Sequence, residues 1–387
     1  MLSRMIQITS GGPMLPGRPR FVARRSWRWL APLAAAGVVA VLASGILSAG
    51  ANPNLPPQTA AQLLASMGAA RPAGFSGTVV EKAALGLPEL PNLGGSSPSS
   101  GLLGVLSGSH TSRVWYAGQT KQRIALLDAL GEQDVFRDGR EVWRYDSNTR
   151  VATHSVLPAE TATRPDANGT GTLTPAQAAE QVLAMIGPTT EVATDRAATV
   201  AGRAAYTLVL TPKDRRSRIG SVRIAVDGAT RIPLGVQVIA RDTKRAALDI
   251  SFTRIGFSVP EDDFFSFTPP PNATVKQAAP PAEAKADGRG APPSGRASAV
   301  NVAPHYTLIG RGWTTVVKVA GAPPLSGFGS TNKDAAAFVG ALPHVSGSWG
   351  NGWLFSSTLA SGLFTSDGRV FYGAVDPDLL YRAAAQK

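Results

Sequence analysis

The chain of 387 residues contains no cysteine. Disulfide bonds, thiol nucleophiles and thiolate metal ligands are therefore excluded, as is anchoring through a lipid-modified cysteine. The chain has only four histidines, and none of them shows the H-E-x-x-H or His-x-His spacing of zinc enzymes. We expect His110 and His154, which fall in predicted strands, to be structural. The sequence predicts no metal site and no cofactor.

Catalytic motifs are missing as well. There is no G-x-S-x-G nucleophile elbow, because the segment around Ser348 lacks the leading glycine, and there is no phosphate-binding G-x-x-x-x-G-K-[ST] loop. The acidic run Glu261-Asp262-Asp263 lacks the spacing of a calcium loop, so we interpret it as a solvated turn. We predict that the protein is not an enzyme and has no catalytic residues.

Acidic residues are absent before Glu81, whereas six arginines lie in residues 1–28. The next segment, 29–51, carries no charge and as a helix would be about 34 Å long, enough to cross a bilayer core of about 30 Å. The arginines predict a basic cytoplasmic tail over 1–28 and an extracytoplasmic location for the rest of the chain. Segment 29–51 is either a retained single-pass anchor in the cell membrane or a signal cleaved near Ala51, which would give a secreted protein. A buried core helix is the third alternative.

The net charge is +12, and the arginines of the tail account for half of it. The remaining positive charge is spread along the chain rather than concentrated in runs. It is typical of a solvated surface that favours the anionic headgroups of the cytoplasmic membrane. Nucleic acid is not a predicted partner.

Segments rich in proline, glycine, serine and alanine divide the chain. Leu87–Gly108 and 158–172 are predicted to be long loops, and 276–299 is a Pro/Ala-rich linker with almost no large apolar residue. The predicted domains are therefore 55–275 and 300–387.

The first domain alternates long β-rich stretches with two helices. One helix begins after Thr59 and carries Leu63, Leu64 and Met67 on one face; the other spans 174–186 with Pro175 at its first position. A hairpin over 133–145 is predicted to turn at Asp138-Gly139 as a type I′ turn. The remaining predicted strands are Phe75–Glu81, His110–Ala117, Gln122–Leu127, Arg150–Leu157, Ala205–Thr211, Ser221–Asp227, Leu234–Arg241, Ala247–Phe257 and Phe264–Phe267.

These elements predict an α+β fold with one strongly curved antiparallel sheet and both helices on its concave face. Several strands place apolar residues on one side only. Periodicity leaves two alternatives open, an ordinary packed core or a hydrophobic pocket for an acyl chain. The candidate lipid-binding residues are Val114, Tyr116, Ile124, Leu126, Trp143, Val222, Ile224 and Phe252. The helix with Leu63, Leu64 and Met67, together with loop 87–108, is the candidate lid.

The C-terminal segment, 300–387, is rich in tryptophan and glycine and predicts a small α+β module. Strands are expected around Phe355, at 363–365 and at 367–375, with a short helix over 333–339 and a final helix capped by Asp376. Its tryptophans either form a small core or are exposed anchors for a partner.

The order of several segments carries a resemblance to a known family. These segments are Phe75-Ser76-Gly77-Thr78-Val79-Val80, the hairpin ending at Trp143, and the runs 204–212, 232–234 and 265–270. Over about 55–275 the chain resembles the LolA/RseB superfamily of periplasmic lipoprotein carriers and related regulators. The resemblance implies an unclosed half-barrel with a helical lid over a cavity that binds the acyl chains of a lipid or lipoprotein. It also makes Arg113 and Arg123 candidates for the family's lid-closing arginine.

Three functions remain open at this point. The first is binding of lipid or lipoprotein acyl chains, as in a carrier or chaperone. The second is an RseB-like regulatory sensor that contacts a membrane partner, such as an anti-sigma factor, through 300–387. The third is a structural envelope protein without a ligand. Only the first predicts a bound lipid as cargo, and only the second predicts a stable protein partner that requires the C-terminal module.

Overall fold

A computed structural model describes residues 53–86, 107–127, 131–157, 174–183, 187–278, 305–320 and 342–386. All of them belong to the compact unit Ile46–Lys387. None of the helices in these ranges has the length and apolar character needed to cross a membrane. The predicted tail 1–28, the apolar segment 29–51, the helix over 333–339 and most of the linker 276–299 lie outside the described residues.

The larger sheet has twelve strands within the described part of the chain. Their order across the sheet is β12-β6-β5-β4-β3-β2-β1-β11-β10-β9-β8-β7. Every neighbouring pair is antiparallel except β6 and β12, which are parallel. The strands are β1 (Phe75–Ala84), β2 (Ser107–Tyr116), β3 (Lys121–Leu127), β4 (Glu132–Asp138), β5 (Glu141–Asp146), β6 (Val151–Val156), β7 (Thr190–Val200), β8 (Arg203–Pro212), β9 (Ile219–Asp227), β10 (Pro233–Ala240), β11 (Ala246–Gly256) and β12 (Thr274–Gln277).

This sheet is strongly curved and does not close. Strand β7 lies against β11 although three strands separate them in the hydrogen-bonded order. The two edges, β7 and β12, are not hydrogen-bonded to each other. The predicted curved, unclosed antiparallel sheet is thereby confirmed.

The sheet has two distinct faces, because paired residues of neighbouring strands point to the same side. The inner face carries the main hydrophobic core, which includes Val79, Val114, Ile224 and Phe252. The outer face carries Trp115, which pairs with Arg123 on β3.

Two helices cover the inner face, and each begins with a capping box. Helix α1 (Ala60–Ala69) starts after Thr59, whose hydroxyl accepts from the Gln62 N–H while the Gln62 side chain accepts from the Thr59 N–H. Helix α2 (Pro175–Leu183) starts after Thr174, which exchanges the same two hydrogen bonds with Gln177. Both starts follow the sequence prediction, and residues 184–186 lie outside the described ranges.

The predicted strand Phe264–Phe267 is wrong. Asp262–Phe264 is a single 3₁₀ turn, and the chain after it crosses the outer face without pairing until it joins the sheet as β12 at Thr274. Its aromatic rings hold it there, since Phe264 stacks on Trp115 and Phe267 on Phe136, with ring centroids 5.7 and 4.7 Å apart. The prolines from Pro269 onward have no N–H with which to extend a ladder.

The predicted hairpin is present, but its turn lies one residue later than expected. Asp138 pairs with Glu141, so Gly139 and Arg140 form the loop. Of these two, only Gly139 has a positive φ, +62°. That pattern belongs to a type II′ turn rather than type I′, since type I′ requires positive φ at both positions.

The C-terminal segment forms a six-stranded antiparallel sheet, in the order β13-β14-β18-β17-β16-β15, packed against one helix. Trp313 and Trp349 are buried, so they are core residues rather than exposed anchors. Helix α3 begins after Asp376 as predicted. The elements are β13 (His305–Ile309), β14 (Val316–Ala320), β15 (His344–Gly347), β16 (Gly350–Ser356), β17 (Ser361–Thr365), β18 (Val370–Gly373) and α3 (Pro377–Ala385).

Candidate functional site

A cavity of about 480 Å³ lies between the two helices and the inner face of the larger sheet. This volume falls within the ~300–1,000 Å³ usual for small-molecule sites. The cavity is bounded by the end of α1, the first residue of β1, strands β2 and β3, helix α2 and the start of β10. Its lining residues are Met67, Gly68, Ala70, Arg71, Pro72, Phe75, Val114, Trp115, Tyr116, Gln119, Gln122, Ile124, Thr174, Ala176, Gln177, Ala179, Glu180, Leu183, Ile232 and Pro233.

The small side chains of α2 explain why this part of the inner face is not filled. Ala176 and Ala179 lie one turn apart and both line the cavity. Each has only a methyl group with which to reach toward the sheet. Elsewhere on the inner face, Leu208 and Ile224 are fully buried in a packed core. The inner face therefore contains both of the features that the sequence left open: a packed core at one end and a hydrophobic cavity at the other.

Aromatic rings form the floor of the cavity. Phe75 stacks on Tyr116 with ring centroids 5.0 Å apart and meets Phe252 edge-on at 6.1 Å. Val114 and Ile124, paired across β2 and β3, continue this apolar surface. The floor is therefore an apolar surface suited to packing against a hydrocarbon chain, and it does not bring reactive groups together.

The rim of the cavity is polar, and Arg71 is its one cation among the described lining residues. The Arg71 guanidinium donates to the carbonyl oxygens of Gly68 and Ala70, over 2.9 and 2.8 Å, at the carboxyl end of α1. Burial raises the pKa of the Tyr116 hydroxyl, and the nearby Arg71 charge opposes that increase. The rim therefore places a fixed positive charge beside an apolar floor.

Three of the eight predicted lipid-binding residues line the cavity: Val114, Tyr116 and Ile124. Four others lie outside the cavity lining. Val222, Ile224 and Phe252 are buried in the packed core, and Leu126 is buried on the same face of β3.

Trp143 lies on the outer face, in the register row of Phe136 and Arg123. It stacks on His154 with ring centroids 4.4 Å apart. It is therefore separated from the cavity by the sheet itself.

The predicted lid residues are divided between two environments. Met67 lines the cavity, whereas Leu63 is fully buried and Leu64 packs against the core. The arginines suggested as lid-closing residues, Arg113 and Arg123, point to the outer face, which neither helix covers. That interpretation of the two arginines is wrong.

Phe75 and the α2 alanines line the cavity but were not predicted from the sequence to do so. Phe75 begins a predicted strand, and its pairing with Tyr116 depends on the register of β1 and β2, which the sequence alone does not give. The signal for α2 was available: Thr174-Pro175 marks the helix start, and alanines three residues apart share a helix face.

Glu81 is the one buried carboxylate of the inner face that has no hydrogen-bond partner for an oxygen, Oε2, among the described residues. Burial raises its pKa, and the charge of His110, its cross-strand partner, opposes that increase. Within the described ranges, no three His, Asp or Glu side chains gather as metal ligands.

The chain is similar to known proteins in structure but not detectably in sequence. No protein-family model matches the chain, and neither does any curated protein. Among solved structures, the complex of MucA and MucB from Pseudomonas aeruginosa is 16% identical over 84% of this chain and 96% of that chain, with a TM-score of 0.43. An uncharacterized conserved protein from Thermus thermophilus is 11% identical over 57% of this chain and 99% of that chain, with a TM-score of 0.32.

A LolA superfamily protein from Nitrosomonas europaea also matches, at 13% identity over 55% of this chain and 99% of that chain, with a TM-score of 0.23. MucB and a LolA superfamily protein are therefore among the solved structures to which this chain is similar.

Proposed function

We propose that this protein binds the acyl chains of a lipid or lipoprotein in the cavity between its helices and the inner face, without catalysing a reaction. The observation that supports this proposal is the 480 Å³ cavity with its floor of Phe75, Tyr116, Val114 and Ile124. An acyl chain inserted there would gain about 25 cal/mol for each Å² of apolar surface removed from water. The Arg71 charge at the rim suits the phosphate or carboxylate to which such a chain is attached.

The proposal includes a location outside the cytoplasmic membrane, with segment 29–51 as an anchor or a signal. The six arginines before that segment support this orientation. Under this proposal the cavity lies on the side of the membrane where exported lipoproteins are exposed.

Photo-crosslinking of the full chain in cells tests the cavity directly. Met67 is replaced by p-benzoylphenylalanine in cells supplied with an alkyne-bearing fatty acid, and the adduct is detected by click labelling and mass spectrometry. The matched control carries the same residue at Val156, which is exposed on β6. We expect an acyl adduct at position 67 and none at 156. Equal labelling at both positions, or none at 67, would refute the proposal.

A cavity-filling variant provides the second arm of the test. Ala176→Trp places an indole in the cavity, whereas Ala65→Trp places one on the exposed side of α1. We expect Ala176→Trp to abolish the adduct at position 67 and Ala65→Trp to preserve it. Circular dichroism of both variants verifies that the fold is retained.

A second candidate function, partner binding through the C-terminal sheet, has an observation of its own. Strand β13 is an edge strand in the described part of the chain, and its Tyr306 and Leu308 are 75% and 62% exposed. Exposed alternating apolar residues on an edge strand suit an extended peptide that adds a strand. We propose that a membrane-anchored regulator such as an anti-sigma factor supplies this peptide.

Substitution at the edge tests this second function. The full chain is purified from its own membranes with any stoichiometric membrane protein attached, and the peptide that pairs with β13 is mapped by crosslinking. We expect Leu308→Pro to release the partner because proline removes an N–H from the edge. Val156→Pro, at the exposed end of β6, is the control and should retain it. A partner that survives Leu308→Pro would contradict pairing at β13.

A further inference from the structure

A second depression, of about 580 Å³, lies on the outer face of the larger sheet, where β2, β1 and β11 run side by side. Its walls include Arg113, Thr78 and Arg254, which occupy one register row: Thr78 pairs with Arg113 on one side and with Arg254 on the other. The row places the three side chains on the same face. The depression shares Trp115 with the lining of the acyl-chain cavity, but Arg113 and Arg254 lie on the side of the sheet opposite Val114 and the cavity floor.

The two arginines stand about 10 Å apart at their Cα atoms, two strand spacings of ~4.8 Å. Both residues are exposed, and neither takes part in a salt bridge within the described residues, unlike Arg123 and Arg203. Like charges placed around one threonine repel each other and need a counter-charge. The lining residues of the depression include no carboxylate.

Two other arginines of this sheet have carboxylate partners. Arg123 pairs with Asp134, and Arg203 with Asp227. The carboxylate in the same register row as Arg113 is Asp134, two strands away, and Arg123 already binds it. Arg123 and Arg203 are thus neutralised by carboxylates on neighbouring strands, whereas Arg113 and Arg254 face an open depression.

The remaining walls offer neutral donors and a ring. Ser76 and Thr78 contribute hydroxyl groups, and Trp115 closes one side, held in place by the stacked Phe264. An oxyanion between two guanidinium groups can accept paired N–H···O bonds from each, the geometry in which arginine binds phosphate best. Hydroxyl groups suit its remaining oxygens.

We propose that this depression binds a phosphate group, held between Arg113 and Arg254 with the Thr78 hydroxyl below it. Two sources share this chemistry, free phosphate and the phosphate of a lipid headgroup. The site is independent of the proposed acyl-chain cavity, and either function can hold without the other.

The test uses the full chain in dodecyl maltoside micelles, which contain no phosphate. Inorganic phosphate is titrated by ³¹P NMR line broadening and by calorimetry in a constant chloride background. In parallel, phosphatidic acid, phosphatidylglycerol or phosphatidylcholine is supplied in mixed micelles. Arg113→Gln and Arg254→Gln remove one guanidinium each. Arg245→Gln is the matched control, since it removes one exposed arginine immediately before β11.

We expect phosphate, or an anionic phospholipid, to bind with one-to-one stoichiometry. Arg113→Gln and Arg254→Gln should each weaken binding about 10-fold or more, because each removes charge-assisted hydrogen bonds. Arg245→Gln should leave it unchanged. Binding of inorganic phosphate identifies a free-anion site, whereas binding of anionic phospholipid alone identifies a headgroup site. The proposal is overturned if no phosphate compound binds, or if Arg245→Gln weakens binding as much as the other two variants.

Discussion

Trp313 donates its indole N–H to the hydroxyl of Thr190 over 2.8 Å, and both side chains are buried. The bond joins the segment that precedes β14 to the first residue of β7, the edge strand of the larger sheet. Close by, Gly312 leaves no room for a side chain, since a Cβ there would lie 2.4 Å from the Thr189 hydroxyl. The two sheets are therefore in direct contact.

Trp313→Phe tests the strength of this contact. The change keeps an aromatic ring but leaves the Thr190 hydroxyl without its donor, so we expect the free energy of unfolding to fall by about 1–3 kcal/mol. The measurement is urea denaturation of the full chain. Adding Thr190→Val, which removes the other partner, should recover part of the loss. Full additivity of the two losses would show that the hydrogen bond contributes nothing.

The ion pair between Asp227 and Arg203 predicts that the folded chain loses stability in acid. Arg203 binds its two oxygens over 2.6 and 3.0 Å, and the Thr230 N–H and hydroxyl donate to Oδ2. Burial alone would raise the pKa of Asp227, but these bonds outweigh it and hold the pKa below its usual range. A carboxyl with a lowered folded-state pKa contributes stability above its unfolded pKa of about 3.9, and this contribution is lost as the pH falls through the folded value.

We therefore expect Asp227→Asn to lower the free energy of unfolding by about 3 kcal/mol at pH 7. The difference from the unaltered chain should shrink steadily below about pH 4. Urea titrations between neutral and acidic pH measure both effects. Asp214→Asn is the control, because the pKa of Asp214 is also lowered, to about 2, by its hydrogen bonds with Arg216, yet that pair is exposed and should contribute little. A difference that persists in acid would contradict this assignment.

The burial of Asp134 predicts the opposite dependence of stability on pH. Burial raises its pKa to about 6, and the hydrogen bond from Arg123 only partly offsets that increase. Because the folded chain then takes up a proton that the unfolded chain binds only near pH ~3.9, this group should add stability as the pH falls from about 7 to about 4. Carboxyl ¹³C NMR should show Asp134 titrating near pH 6, and Asp134→Asn should remove its share of the pH slope. Titration at pH 4 or below would contradict the prediction.

The position of Gly77 on β1 has no room for a larger side chain. A Cβ at this position would lie 2.8 Å from the ring of Phe252 and 2.5 Å from the Arg254 carbonyl oxygen. Gly77→Ala should therefore lower the free energy of unfolding by about 1–3 kcal/mol, measured by urea denaturation. Gly256→Ala, on the paired strand, is the matched control because nothing lies within 4 Å of its Cβ position. Equal stability of the two variants would show that Phe252 moves aside without cost.

The sequence was sufficient to predict the helices and strands whose signals lie within the element itself, such as a helix cap or an alternating strand pattern. The helix starts at Thr59 and Thr174 and most strands of the larger sheet appear where their patterns predict them. Strand β7 was missed because its residues are mostly polar or small, as an edge strand allows. Strand β12 was missed because its four residues are all exposed.

The placement of site residues depended on information that the sequence does not carry. Val114 and Ile124 each follow an arginine, Arg113 and Arg123, so their side of the sheet was predictable. Trp143 was not, because the chain carrying Phe267 covers the outer face of β5 with apolar rings. Where both faces of a strand are covered, alternation no longer tells them apart.

The parallel pairing of β12 with β6 imposes an order on synthesis and folding. Thr274 pairs with Val151, so more than a hundred residues must emerge before β6 gains its outer neighbour. Until then the backbone groups along that edge of β6 are open to strands of other chains, a state that favours aggregation. A chaperone acting on the newly synthesised chain would be needed most during this interval, and a chain truncated before Thr274 would never leave it.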